Sequence, residues 1–223
     1  MIAIYNTYKE AIFIFSVILP IFIAVFHHFV LGAKDVRLNY SSHTIQRFSI
    51  PERIFHFIRM ITFIIVATTG VSFVFHEGDE SAGEIHGING IVFLVISICT
   101  LFIWFKPSLF KAYDRIWLRH LGGYLSKRNA SLPAGKFNAG QKIFFWISII
   151  LSLILAVTGI SLIHNHGEGM TLVIHGMTAA LFIIAVIGHV YLSLWATKGT
   201  WQVLTSGKVT KEWAQHHHPN WKN

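Results

Sequence analysis

Fourteen histidines occur in this chain, and four of them, His56, His86, His175 and His189, fall inside strongly apolar stretches. An ionisable side chain in such a setting is costly unless it pairs or ligates, so each marks a functional position. His175 and His189 stand 14 residues apart on one stretch. On a helix that is nearly four turns, about 21 Å of axis, so the two imidazoles face almost the same way at two depths. His86 matches the level of His175, and His56 that of His189. Two opposed imidazoles from separate helices suit the iron of a haem, which brings its own ring nitrogens, whereas zinc usually takes four protein ligands. The expectation is therefore two haems, one held by His86 and His175, the other by His56 and His189. The competing use of each imidazole is a hydrogen bond to a carbonyl or a place at an interface. Four histidines at matching depths favour ligation. The single cysteine, Cys99, excludes thioether attachment, an intrachain disulfide framework and multi-cysteine zinc or iron–sulfur sites. Any haem would be noncovalent, of the b type.

Other polar residues admit two readings. Arg59, one turn beyond His56, is placed either to pair a haem propionate or to snorkel to the rim of its helix. His27 and His28 end an apolar stretch and read as interfacial. His43, His76, His120, His164 and His166 fall in polar links and read as solvated. His216, His217 and His218, followed by Pro219-Asn220-Trp221, read as a native polar tail.

The elements that must position these residues follow from composition. Of 223 residues, 53% are apolar and 13% charged, about half the charged share of a soluble domain. Mean hydropathy is +0.56. A soluble fold or a disordered chain is excluded. A membrane span takes about 20 apolar residues, and five segments qualify: roughly 11–31, 54–75, 86–105, 143–163 and 170–196. The net charge of +8 is distributed with a pattern. The first link holds Lys34, Arg37, Arg47 and Arg53. The third holds Lys106, Lys111, Arg115, Arg119, Lys127, Arg128, Lys136 and Lys142, and the tail holds Lys198, Lys208, Lys211 and Lys222. The second and fourth links carry Glu77, Asp79, Glu80, Glu84 and Glu168 instead. The positive-inside rule puts the basic regions in the cytoplasm and the N-terminus outside, so His86 and His175 lie toward the outer surface. Topology alone explains the basic charge, and nucleic acid is not an expected partner. Lys9-Glu10 before the first apolar run, with the basic residues after it, suits a retained helix rather than a signal peptide.

The chain also repeats itself. Ala67-Thr68-Thr69-Gly70-Val71-Ser72 parallels Ala156-Val157-Thr158-Gly159-Ile160-Ser161, and Ile85-His86-Gly87 parallels Ile174-His175-Gly176. Thr69 precedes His86, and Thr158 precedes His175, by 17 residues. The fold class expected is an all-α membrane protein with five transmembrane helices. Spans two to five form a di-haem four-helix bundle made of a duplicated hairpin, and an extra N-terminal helix is added to it. The expected division is 1–46 for that helix and its cytoplasmic link, 47–197 for the bundle and 198–223 for a cytoplasmic tail. In the tail Trp201, Trp213 and Trp221 suit a membrane interface or a partner contact. Small residues such as Gly70 and Gly159 are expected to let a backbone or a flat cofactor approach closely.

Three passages carry a resemblance to a known family: Glu52-Arg53-Ile54-Phe55-His56; Lys136-Phe137-Asn138-Ala139-Gly140-Gln141-Lys142; and Ile174-His175 through His189-Val190-Tyr191 to Gly207-Lys208-Val209, Glu212-Trp213-Ala214 and His217-His218-Pro219. Over about residues 47 to 221 the chain resembles the cytochrome b (gamma) subunit of membrane-bound respiratory formate dehydrogenases. The broader set includes the cytochrome b subunits of nickel–iron hydrogenases. The resemblance implies two haems b on the four histidines and a bacterial inner-membrane location. It implies an iron–sulfur (beta) subunit facing the periplasm and, through it, a molybdenum or tungsten catalytic (alpha) subunit. Electrons would pass inward to menaquinone or ubiquinone near the cytoplasmic side. By the same resemblance Asn138, Gly140 and Gln141 would line the quinone pocket. Read from the residues alone, Asn138 equally caps a helix and Gly140 serves a turn. Formate oxidation itself would belong to the partner subunits. A hydrogenase or another periplasmic oxidoreductase is the alternative donor, and a non-redox membrane anchor or transporter the alternative of another class. The fifth helix departs from the family's four-helix plan.

Overall fold

The computed structural model describes residues 1–32, 43–76, 80–126, 130–164 and 169–222. Lys34, Arg37, Glu77, Asp79, Lys127, Arg128, His166, Glu168 and the side chain of Glu80 lie outside the described residues. In chain order the elements are α1 (Ile2–Val30), β1 (Thr44–Gln46), α2 (Ile50–Phe75), α3 (Glu80–Trp104), α4 (Asp114–Arg119), α5 (Ala139–His164), α6 (Met170–Leu194), α7 (Gln202–Thr205), β2 (Lys208–Thr210) and α8 (Lys211–His217).

Five helices, α1, α2, α3, α5 and α6, are long and apolar enough to cross a membrane. They correspond to the five expected spans. At 25 to 29 residues each, they run about 38 to 44 Å, longer than a hydrocarbon layer of about 30 Å. Large apolar side chains such as Phe15, Phe22, Phe102 and Val157 stay exposed along them, as lipid-facing positions should. The first helix starts at Ile2, nine residues ahead of the expected boundary. Lys9-Glu10 interrupts the hydropathy there but not the backbone, because both are good helix formers.

The chain divides into two compact units, each drawn from several stretches. The first comprises Met1–Ile21, Phe55–Phe102 and Ile147–Ile187. Its core joins Phe13, Ala180 and Ile183 with Phe63, Val71 and Val74, and the rings of Phe63, Phe93 and Phe182 meet within 6.0 Å. Tyr5 of α1 lies so close to Gly176 of α6 that a Cβ there would overlap its hydroxyl, so the additional helix packs directly on α6 within this unit.

The second unit comprises Phe22–Ile54, Ile103–Trp146 and Gly188–Asn223. The first link and the tail fold together in it. Strands β1 and β2 pair antiparallel with Ile45 opposite Val209, over a core of Val203, Val209, Trp213 and Ala214. Thr210 caps α8 by accepting from the backbone N–H of Trp213 at 3.2 Å. Arg47 is buried under aromatic rings, with its guanidinium carbon 4.8 Å from the Trp213 ring centre, and it donates to the carbonyl of Lys136 at 3.0 Å. Burial draws its pKa down to about 9. His218 is not a solvated tail residue: it is buried and hydrogen-bonded to the Gly135 carbonyl at 2.7 Å. Burial, and then the charge of Arg47, hold its pKa well below the usual imidazole range.

Two further contacts organise the second unit. His27, expected at an interface, uses both ring nitrogens. Nε2 lies 2.8 Å from the Tyr124 carbonyl, so it donates, and Nδ1 then accepts from the Tyr191 hydroxyl at 2.6 Å. Lys142 and Asp114 form a fully buried ion pair at 2.7 Å. The same carboxylate oxygen accepts from the Lys111 N–H, while Oδ1 of Asp114 has no partner among the described residues.

Candidate functional site

The structure brings His86 and His175 together within the first unit, with ring centroids 6.2 Å apart and planes inclined by 64°. His86 is the seventh residue of α3 and His175 the sixth of α6, so the opening turns of two helices place them. The repeat is reproduced in atomic detail. Thr69 Oγ1 lies 2.9 Å from Nδ1 of His86, and Thr158 Oγ1 lies 2.9 Å from Nδ1 of His175. Each hydroxyl hydrogen is already engaged, Thr69 donating to the Ile65 carbonyl at 2.7 Å and Thr158 to the Ile154 carbonyl at 2.6 Å. Both threonines must therefore accept from the imidazole, and the network assigns the proton to Nδ1 of both rings. The backbone carbonyls of Val66 and Leu155 are second acceptors for the same two imidazoles, and Nε2 of each ring stays outside the Thr–His contact as a lone pair. A histidine whose other nitrogen donates to an anchored acceptor is a tautomer fixed for metal ligation.

Spacing supports the same use. A metal–imidazole bond of about 2.0 Å plus about 1.1 Å from nitrogen to ring centre, on each side, puts the centroids about 6 Å apart. The observed separation meets that. Among the described residues no group of three or more His, Cys, Asp or Glu side chains is gathered to hold a bare metal ion. A pair of imidazoles suits an ion that carries its remaining ligands with it, as haem iron does. Gly70 and Gly159 serve the histidines directly. A Cβ at Gly70 would stand 3.1 Å from Cε1 of His86, and one at Gly159 would stand 3.4 Å from Cε1 of His175. In both halves of the repeat, then, the imidazole edge approaches the glycine backbone.

The remaining expected residues are placed as follows. His56 lies on α2 in the first unit, its ring 6.4 Å from that of Phe57. His189 lies on α6 in the second unit, stacked on Phe144 with centroids 4.1 Å apart and an interplanar angle of 8°, which fixes its ring plane. Arg59 reaches Ser148 and Ser152 at 3.2 and 3.4 Å. Asn138 and Gln141 form a reciprocal cap at the start of α5. Asn138 Oδ1 accepts from the Gln141 N–H at 2.9 Å, and Gln141 Oε1 accepts from the Asn138 N–H at 3.0 Å. Both carbonyl oxygens are thereby engaged, and the two side-chain NH2 groups have no acceptor among the described residues. Gly140 leaves room for an indole, since a Cβ there would meet Cη2 of Trp117 at 2.6 Å.

Thr69 and Thr158 are the site residues whose role the sequence left unassigned. The 17-residue spacing to each histidine was their signal. Nothing in the sequence marked Ser97, Ser148 or Ser152, which are single hydroxyls in apolar runs.

Comparison with known proteins assigns the chain to a family. Residues 47–207 match the family model described as prokaryotic cytochrome b561. The formate dehydrogenase cytochrome b556(fdo) subunit of Escherichia coli K12 is 29% identical over 195 residues, covering 80% of this chain and 92% of that protein. The nitrate-inducible formate dehydrogenase cytochrome b556(Fdn) subunit of the same strain is 29% identical over 199 residues, covering 81% and 91%. A formate dehydrogenase cytochrome b556 subunit of Haemophilus influenzae is 27% identical over 189 residues, covering 77% and 79%.

Proposed function

The chain belongs to the prokaryotic cytochrome b561 family, and from that premise we propose that this multi-pass membrane protein is the di-haem cytochrome b subunit of a respiratory formate dehydrogenase complex. The observation that carries the proposal is the repeated Thr–His pair, which orients two imidazoles with their Nε2 lone pairs unengaged. His86 and His175 hold one haem. His56 and His189 hold the second, an assignment that rests on the sequence pattern. Haem b, when bound, supplies reversible one-electron transfer, and its potential is set by axial ligands, hydrogen bonds and burial.

The chain's own residues do the rest. Thr69 and Thr158 hold the ligand tautomers, and Gly70 and Gly159 leave space for the ring edges. In the proposed quinone pocket Asn138 and Gln141 turn their NH2 donors toward the quinone carbonyls, while the cap fixes the orientation of both amides. Gly140 seats Trp117 beside them. A quinone takes two electrons and two protons to become the quinol. The positive-inside rule supports a cytoplasmic position for that end and a periplasmic N-terminus in a bacterial inner membrane, so the protons would come from the cytoplasmic side. The electron donor is a periplasmic iron–sulfur subunit, fed by a molybdenum or tungsten subunit that oxidises formate. Menaquinone or ubiquinone is the acceptor. Residues 47–197 carry the haems, with 1–46 and 198–223 as additions.

Ligand substitution tests the assignment. H86A and H175A are each expected to lose one of two low-spin haems, the same one in both variants. Retention of both haems at unchanged potentials in either variant contradicts it.

A further inference from the structure

Arg59 carries a positive charge into the middle of the first unit. It is the tenth residue of α2, whose 26 residues begin at Ile50. Its hydroxyl partners, Ser148 and Ser152, are the tenth and fourteenth of the 26 residues of α5. At 1.5 Å per residue these lie roughly 14 to 20 Å from the helix start, near the middle of a span. A snorkelling arginine would extend its guanidinium back toward the nearer helix end. Arg59 instead turns to the buried hydroxyls of Ser148 and Ser152 on α5.

The surroundings are built to hold the group. Ser148 and Ser152 are 1% and 2% exposed. Ser97 donates to Ser152 at 3.4 Å, and Ser152 donates to the Ser148 carbonyl at 2.6 Å. The guanidinium carbon lies 5.6 Å from the ring centre of Phe93. Only Nη2 is engaged by the serines. Nη1 and Nε have no hydrogen-bond partner among the described residues, and no carboxylate among them lies within ion-pair distance of Arg59. A charge at this depth without a counter-charge is expensive. Three N–H donors thus remain for an anion, in the planar fork that suits a carboxylate. A lipid headgroup cannot reach mid-span. The carboxylate-bearing group available between these helices is the porphyrin itself, through its propionates.

We propose that Arg59, clamped by Ser148 and Ser152, is the internal binding site for a haem propionate and raises the reduction potential of that haem. The inference rests on the di-haem reading. Adding an electron to haem is favoured by a nearby positive charge, and removing Arg59 leaves a propionate uncompensated in a low-dielectric interior.

The test is a potentiometric titration, with haem stoichiometry, of the intact purified complex carrying wild-type, R59Q, R59K or the S148A/S152A pair. R59Q is expected to keep two haems and to lower the reduction equilibrium constant of one of them tenfold or more, which is 59 mV for a one-electron couple. R59K is expected to recover most of that loss, and S148A/S152A to shift the same haem in the same direction by less. Should R59Q fail to assemble, the serine pair, which keeps the charge, decides. Two haems with wild-type potentials in R59Q, or in the serine pair where R59Q does not assemble, overturn the proposal while leaving the di-haem reading intact. A wild-type protein without haem overturns both.

Discussion

Replacing Thr69 by valine isolates the part of the site that the structure defines best. Valine keeps the shape and removes one acceptor. The hydroxyl now accepts from Nδ1 of His86 at 2.9 Å while donating to the Ile65 carbonyl at 2.7 Å. Without it the imidazole loses its hydroxyl acceptor and keeps only the Val66 carbonyl, and the loss of one such hydrogen bond costs about 0.5–1.5 kcal/mol. The ring lowers that cost by rotating or changing tautomer, and either movement would take Nε2 away from an iron held between the two histidines. Losing such an outer partner lowers metal affinity about 10- to 100-fold, or ~1.4–2.8 kcal/mol. T69V should therefore weaken one haem of two by that factor in a competition with an apo-haemoprotein, while T69S stays close to wild type. T158V should weaken the same haem, because Thr158 serves His175 in the same way at 2.9 Å. The double variant should cost less than the two effects combined, since both act on one bound group. The reasoning is refuted if T69V and T158V hold haem as tightly as wild type, or if they weaken different haems.

The glycine pair gives an asymmetric prediction. G70A forces His86 to shift by a few tenths of an ångström, since its Cβ would stand at 3.1 Å, whereas 3.4 Å at Gly159 is an ordinary contact. G70A should change the low-spin spectrum of the haem, and G159A should leave it unchanged; equal effects argue against these glycines as seats for the ring edges. For the buried pair, K142M should destabilise by about 3–5 kcal/mol in thermal unfolding, and K142M/D114N by less than the sum of the singles. Strict additivity would show that Lys142 and Asp114 do not act as a pair. Docking of the tail should depend on pH. The depressed pKa of His218 means that the undocked state binds the proton more readily. The stabilisation is complete above the unfolded imidazole value of about 6.5 and is lost as pH falls below it. Protection factors across α8, which divide out the intrinsic fall in exchange with pH, should drop by up to about tenfold between about pH 7.5 and 5.5, and protection factors that stay constant over that range would refute this.

The repeated Thr–His contacts were legible because they depend on short-range spacing within helices. The four histidines, the Thr-Gly repeats and the alternation of basic and acidic links are periodic features, and periodicity survives in sequence. Features made by distant contacts were not. His27 bonds to Tyr191 and Tyr124, 164 and 97 residues away, and no local pattern joins those positions. Strands β1 and β2 have three residues each, too short for an alternation to show, so the folding of the tail against the first link was not apparent. The burial of His218 follows from that folding. Arg59 was open between two readings because a sequence gives the depth of a Cα but not the direction of a long side chain; its serine partners lie 89 and 93 residues away. Asn138 and Gln141 were equally open, and their reciprocal cap engages the two carbonyl oxygens while the NH2 groups meet no acceptor among the described residues.

The central claim is that this chain carries two haems b on paired histidines. A pyridine haemochrome measurement on the purified complex, referred to the amount of this chain, tests it most directly. The account predicts two noncovalent haems b per chain, both low-spin and both extractable into acidic organic solvent. A stoichiometry of one or none contradicts it.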